Sequence, residues 1–381
     1  MKTADVAIIG GGIIGASIAF ELAAEKLDIV VLDRQQPGLE ASWAAAGMLS
    51  PGPDSPDALP LVPLAKESMR LYPAYVSAIE ELSAKRTAFT RNGTIEIFTS
   101  PHGEAERNKM VAEFRALGIV IEPISLDTAR EAEPTLGPAV RAAAWLPQEA
   151  TIDPRLLTQA VLAAAQRRGV EILSDSPVTS VRLDGNHCAG VVAAGTTISA
   201  KCVIVAAGCI SGSIDWIGRY SPTRPVRGQI LALRPKGAPI ARTVRSAKGY
   251  LVPRPDGRVI AGSTLEDAGF EKHITPEGVQ KILAGVLELV PGLANAQLID
   301  SWAGLRPGTP DNLPILGPTD VRGLYMATGH YRNGILLAPA TARLLTDLVL
   351  GRTAALNIEA FSPLRFEEAA LRTRKSASAN S

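Results

Sequence analysis

Residues 4–33 read ADVAIIGGGIIGASIAFELAAEKLDIVVLD, and the fold is decided here. Residues 6–9 form a short apolar run rich in β-branched side chains, the mark of a buried strand. Gly10, Gly12 and Gly15 then supply G-x-G-x-x-G. Over residues 13–25 apolar side chains recur at helical spacing (Ile14, Ile18, Leu22), which predicts a helix packed on that strand. A second apolar run, residues 29–32, closes on Asp33. Together these make a βαβ unit of about 30 residues in the dinucleotide-binding pattern.

Each part has a physical task. Gly10 allows the tight turn, and Gly12 lets a pyrophosphate approach the helix N-terminus, where unpaired N–H groups and the helix dipole favour negative charge. Gly15 lets helix and strand pack closely, and Asp33 can accept hydrogen bonds from a ribose diol. Strand, helix, second strand and terminal acid agree, so a dinucleotide site is expected. Its position early in the chain favours FAD over NAD, because NAD enzymes often place a catalytic domain first.

Working outward, 381 residues suffice for two domains or one large one, and 46% apolar content supports sizeable cores. With 39 basic and 38 acidic residues the net charge is +1, so charge makes no case for nucleic acid or an anionic membrane. Cys188, Cys202 and Cys209 lack C-x-x-C spacing and are expected to be small buried hydrophobes. The 4 histidines are scattered and suggest no metal site. No run reaches about 18 uninterrupted apolar residues, and no basic segment with a cleavage motif opens the chain. A cytoplasmic location is the expectation.

After Asp33 comes a Gly/Pro/Ser-interrupted segment, residues 35–60, containing SWAAAGMLSP (42–51). Its small side chains permit close backbone approach to a ligand, or else a short helical turn in the core. Helices are expected over 64–82, 104–117, 127–133, 153–168, 275–289 and 335–350, and strands over 94–98, 170–173, 178–183, 188–193, 197–199, 201–206, 229–233, 249–253, 258–261, 300–305 and 324–328. Asp153-Pro154 reads as an N-cap followed by proline at the first helical position. Residues 306–311, RPGTPD, read as a turn-rich loop, and 376–381 as a polar disordered tail.

Two stretches carry further chemistry: SWAGLRPGTPDNLPILG (301–317) and GHYRNGILLAP (329–339). In the second, a glycine-containing loop leads into a helix whose N-terminus can hold negative charge developing on a flavin ring. With IIGGGIIG (8–15), AAAGML (44–49), GYLVPR (249–254) and GHYRNGILLAPAT (329–341), these motifs resemble the D-amino-acid oxidase superfamily of FAD enzymes along the whole chain. The closest likeness is to its glycine oxidase branch, the ThiO type linked to thiamine biosynthesis.

The resemblance implies an α/β fold: a glutathione-reductase-type, Rossmann-like FAD-binding domain with an interleaved α+β substrate domain built on an antiparallel sheet. The FAD domain would draw on 1–60, 146–220 and 307–381, and the substrate domain on 61–145 and 221–306. Gly10, Gly12, Ile13, Ile14 and Gly15 would hold the pyrophosphate. Asp33 and Arg34 would meet the adenosine ribose, where many relatives have Glu in place of Asp33. Ser42, Ala46, Gly47 and Met48 would lie along the flavin, and Val178 would contact adenine. His330, Tyr331, Arg332, Asn333, Gly334, Ile335 and Leu336 would wrap the isoalloxazine. Arg306 would bind the substrate carboxylate, with Tyr250 as hydroxyl partner and Arg332 close by. Lys248 and Leu265 would flank the pocket.

The residue chemistry agrees, because arginine binds a carboxylate bidentately through a charge-assisted pair and tyrosine adds one directed hydrogen bond. The implied reaction is oxidative deamination of glycine, sarcosine, D-alanine or D-proline. Hydride leaves Cα for flavin N5 with no side-chain base. The imine hydrolyses to glyoxylate and ammonia, and dioxygen yields hydrogen peroxide. No cysteine lies within 306–336, so FAD is expected to be non-covalent. The resemblance also implies a homotetramer. Alternatives at this level are a D-amino-acid or proline-type dehydrogenase feeding a quinone or partner protein, and a non-catalytic FAD-binding subunit. A tRNA-modifying flavin domain is disfavoured by the charge balance.

Overall fold

The computed structural model describes residues 2–366. The polar tail at 376–381 lies outside the described residues. The opening βαβ unit forms as its sequence dictates: strand β1 (Lys2–Ile9), helix α1 (Ile13–Ala23) and strand β2 (Ile29–Leu32). β1 pairs in parallel with β2 on one side and with Thr196–Val205 on the other, so that Val6 stands beside both Ile29 and Cys202. The sheet continues in parallel to Glu171–Leu173 and Leu324–Thr328, and Ile315–Pro318 closes one edge antiparallel. A hairpin of Val178–Asp184 and His187–Ala193 extends it from Thr196–Val205.

The expected strands at 197–199 and 201–206 are one strand. One edge pairs with β1 from Ile198 onward, while on the other edge residues 196–198 pair with the hairpin and 203–205 with Leu324–Thr328. The polar break that divides it in the sequence marks this change of partner.

Parallel strands are apolar on both faces because helices cover them. One face buries Ile8, Val31 and Ile204 under α1, Val62–Ser83, Pro154–Arg167 and Gly334–Val349. Helix α1 is buried nearly all round, Ile13 through Phe20, because it packs on helices Pro154–Arg167 and Gly334–Val349 as well as on the sheet. Asp153 caps the helix Pro154–Arg167 as expected, accepting from the amides of Arg155 (2.9 Å) and Leu156 (3.2 Å).

A second sheet runs in the order Gln297–Gly308, Arg224–Arg234, Val259–Gly262, Gly249–Pro253, Thr243–Ser246, Thr94–Phe98, Ala142–Leu146 and Glu122–Ile124. All neighbours are antiparallel except Thr243–Ser246 beside Thr94–Phe98. Its outer face packs Leu231, Val244 and Leu251 against the helix Pro276–Leu289. Its inner face carries Arg306, Gly228, Gly262, Tyr250, Arg245 and Glu96.

The RPGTPD segment is corrected here. Arg306, Pro307 and Gly308 belong to the edge strand Gln297–Gly308, not to a loop. The long partner strand holds them, with Val226 opposite Arg306 and Pro225 opposite Pro307. Proline is tolerated because the strand is an edge, where no further ladder needs its missing N–H.

Candidate active site

Between the two sheets lies a cavity of about 1080 Å³. That exceeds the range of roughly 300–1,000 Å³ for one drug-sized ligand, and suits an extended dinucleotide with a small substrate beside it. Gly10, Gly12, Ile13 and Ile14 line it at the start of α1. Gly12 is the N-cap of that helix and offers no side-chain cap. The amide of Ile13 donates to Ser42 Oγ at 2.9 Å, which places the serine at the helix mouth. Gly10 needs its glycine, with φ +106° and the carbonyl of Ala206 where a Cβ would sit. Gly15 does not line the cavity; a Cβ there would overlap the Gly10 carbonyl, so it serves the packing of α1 on β1.

Asp33 also lines the cavity, at the end of β2. Its Oδ2 accepts from Gly11 N at 2.8 Å and its Oδ1 from Gln35 N at 3.1 Å, so the carboxylate is oriented before any ligand arrives. Burial raises its pKa against the pull of these two donors. Arg34 lines the cavity too but is held by Glu40 at 2.6 Å. Val178 lines the same end, as does Cys209, whose thiol burial pushes up to about 11. Cys188 is buried as expected, whereas Cys202 and Cys209 are half-buried.

Farther along, Ala46, Gly47 and Met48 line one side, and residues 330–336 line another, leading into the helix Gly334–Val349. Asn333 at the N-cap makes no side-chain cap, so this second helix N-terminus is also open to a ligand. Tyr331 adopts φ +49° and its amide donates to the Pro307 carbonyl at 3.0 Å, tying the loop to the edge strand. His330 is 3% exposed, and its Nε2 lies 3.1 Å from Thr341 Oγ1.

Burial alone lowers the His330 pKa from 6.5 to about 3, because the imidazolium would lose its hydration. It is therefore neutral throughout an ordinary assay range. Between about 3 and 6.5 the unfolded chain binds a proton that the folded chain does not. This contribution to stability is complete above about 6.5 and is lost as pH falls toward 3. The urea midpoint is expected to drop between pH 7 and pH 5 less steeply in His330→Gln than in the parent. Equal slopes would remove His330 as the cause.

At the substrate end, Arg306 Nη2 donates to Ser263 Oγ at 2.8 Å and Nη1 to the Thr264 carbonyl at 3.2 Å. Among the described residues no carboxylate lies within ion-pair distance of it. Other buried arginines differ: Arg245 has Glu96 at 2.6 Å and Glu149 at 3.2 Å, and Arg227 has Glu266 at 2.5 Å. Burial pulls the Arg306 pKa down, and the nearby Tyr250 and Glu266 oppose it while Arg332 adds to it. Arg332 lines the cavity and pairs with Asp54 at 2.6 Å, half-exposed. Lys248 lines the cavity and pairs with Glu288, whereas Leu265 is 56% exposed and lies off it.

Two glycines missed by the sequence reading make room for this pair. A Cβ on Gly228 would fall on the Arg306 guanidinium, and one on Gly262 on the Tyr250 hydroxyl. Also missed were Ser263, Asp54 and the buried cluster of Arg245, Glu96, Glu149 and Ser50 beside the cavity. The sequence signals only part of that cluster, since Glu96 is a lone charge within the short apolar strand Thr94–Phe98.

A glycine-rich strand–helix turn and a ribose-binding acid, facing an antiparallel sheet with an unpaired arginine, define a flavin-dependent oxidoreductase. The model of the family "DAO: FAD dependent oxidoreductase" matches residues 5–348, and the chain belongs to that family. It is 37% identical over 374 residues to the bifunctional protein ThiO/ThiG of Synechocystis sp., covering 96% of this chain and 54% of that one. It thus spans about half the length of that relative. It is 32% identical over 366 residues to the glycine oxidase of Geobacillus kaustophilus, covering 95% and 97% of the two chains. The crystal structure of G. kaustophilus glycine oxidase superposes with a TM-score of 0.91 at 32% identity, over 96% of this chain and 99% of that one.

The fold is the Rossmann-like FAD-binding fold of this family with its antiparallel second sheet, and the cofactor is FAD. The structure fits it. The N-terminus of α1, lining the cavity with no Cβ on Gly12 and with the small Ser42 hydroxyl at its mouth, and the pre-oriented Asp33 carboxylate, suit a pyrophosphate and a ribose diol. Among the described residues no helix is long and apolar enough to cross a membrane, and no cluster suited to a metal ion occurs.

Proposed function

We propose that the protein oxidises small amino acids, glycine foremost, with sarcosine, D-alanine and D-proline as further substrates. The observation that carries this reading is Arg306, a half-buried guanidinium without an acidic partner among the described residues that opens on the cavity beside Tyr250. A buried unpaired charge is costly, and a substrate carboxylate supplies the missing partner. The names of the relatives point the same way.

In this reading Arg306 grips the carboxylate through its fork, and the Tyr250 hydroxyl donates to the same group. Ser263 and the Thr264 carbonyl hold the guanidinium in place before the substrate enters. Arg332, fixed by Asp54, adds positive potential at the same end. The amine enters deprotonated, and no side chain needs to remove the Cα proton. His330 supports this, since burial makes it a weak base and its Nε2 is turned to Thr341. Gly10, Gly12, Ile13, Ile14, Asp33, Ser42 and residues 46–48 and 330–336 hold the cofactor non-covalently. FAD, when bound, would supply the two-electron acceptor for the Cα hydride, with dioxygen as the terminal oxidant. The imine then hydrolyses to glyoxylate and ammonia, or is itself the product used in thiazole assembly for thiamine. The first sheet with its helices forms the FAD domain and the second sheet the substrate domain.

Anaerobic glycine is expected to bleach the oxidised-flavin spectrum of the purified protein, and air to restore it with one hydrogen peroxide per turnover. A spectrum unchanged at saturating glycine and sarcosine would reject this substrate class. Bleaching without peroxide on reoxidation would mark a dehydrogenase instead.

A further inference from the structure

Two of the motif residues quoted above have no task in the reaction so far: Trp302 of WAGLRPGT and Arg254 of GYLVPR. Both are buried, 7% and 8% exposed. Their donors converge on the back of the turn that lines the cavity at residues 44–48. Trp302 Nε1 donates to the Ala44 carbonyl at 3.1 Å, and Arg254 Nη2 to the Ala46 carbonyl at 2.6 Å. A third side chain joins them, with Arg155 Nε donating to the Trp43 carbonyl at 3.2 Å. The Arg155 guanidinium stacks 3.5 Å from the Trp43 ring centre and 4.4 Å from that of Trp302. The two indoles meet edge to face at 5.8 Å.

These donors come from three separate elements: the edge strand, the end of the strand Gly249–Pro253, and the helix Pro154–Arg167. Nothing about packing alone requires three of them on four consecutive residues. The peptide plane supplies a reason. In a trans peptide the C=O of one residue and the N–H of the next point in opposite directions. Carbonyls of Ala44 and Ala46 held outward turn the Ala45 and Gly47 amides inward. Gly47 completes the arrangement at φ +76°, a conformation that side-chain-bearing residues rarely adopt.

We propose that Trp302 and Arg254, braced by Arg155, are positioning residues for the flavin, which lock residues 44–47 so that amide dipoles point into the cavity. Fixed donors aimed at a site where negative charge develops stabilise that charge without reorganising. The flavin therefore accepts electrons, or an anionic adduct, more readily than it would beside a loose turn.

The test uses the FAD-loaded full-length protein and sulfite, which adds to flavin N5 and leaves negative charge on the ring. Trp302→Phe removes the indole donor and keeps a ring, and Arg254→Gln removes the charged one. Each is expected to weaken sulfite binding roughly tenfold, the scale of one lost hydrogen bond, and to shift the flavin reduction potential negative. Arg254→Lys, which keeps a cationic donor, is expected to recover part of the loss. Wild-type sulfite affinity and potential in both Trp302→Phe and Arg254→Gln would overturn the proposal. If Arg254→Gln fails to accumulate, Trp302→Phe decides alone. Failure of the parent protein to hold FAD would instead sink the reading of the site on which this inference rests.

Discussion

Replacing Arg306 by alanine is expected to raise the KM for glycine more than 100-fold, a loss of roughly 3 kcal/mol, while the protein stays yellow. The size follows from desolvation. The guanidinium is half-buried, and its protein partners are a hydroxyl and a carbonyl, so the carboxylate provides its one full charge complement. Removing it strands no buried acid, since none pairs with it among the described residues. The fold and the cofactor should therefore survive. Arg306→Lys keeps the charge but not the fork, and is expected to fall between the two. Steady-state kinetics with a flavin absorbance spectrum on each variant checks this. An unchanged KM in Arg306→Ala would remove the arginine from its role.

The second large effect is expected at a residue with no side chain of its own to offer a substrate. Gly228→Ala places a methyl group where the Arg306 guanidinium now lies. The strand can accept alanine, and the group it displaces is the mobile end of a long side chain, so little stability is at stake. The Thr264 and Ser263 contacts cannot both persist once the guanidinium moves. The expected result is a melting temperature within a few degrees of the parent and a KM for glycine raised at least tenfold. A large melting shift with unchanged KM would show that the glycine serves the sheet and not the anchor. Gly262→Ala should act in the same way on the Tyr250 hydroxyl.

The ease of reading differed sharply between local and distant features. The opening βαβ unit, Asp33 and the capped helix at Asp153-Pro154 were legible because each depends on residues within a few turns of chain. The status of Arg306 was not, because Pro307, Gly308 and Pro310 carry turn chemistry. Only pairing with residues 224–234, far back in the chain, makes Arg306, Pro307 and Gly308 strand, while Pro310 lies beyond its end. Gly228 shows the same limit. An isolated glycine within RPVRGQILALR announces a close approach, but not what approaches. The family resemblance supplied Arg306, Tyr250 and the flavin-facing residues, and all of them line one cavity. It did not supply the groups that hold them, since Ser263, Asp54 and the Glu96–Arg245–Glu149 cluster act through contacts that no local pattern encodes.

The pairing of β1 has a consequence for synthesis. Val6 lies between Ile29, made soon after it, and Cys202, made far later, and the sheet then waits again for Leu324–Thr328. A nascent chain on the ribosome thus carries an apolar β1 and β2 with both outer edges open until Glu171–Leu173 arrives beside β2 and Thr196–Val205 beside β1. Such an edge invites aggregation until its neighbour arrives. Slowed elongation between residues 33 and 196, or scarce chaperone, should lower soluble yield more than the same slowing placed after Thr328.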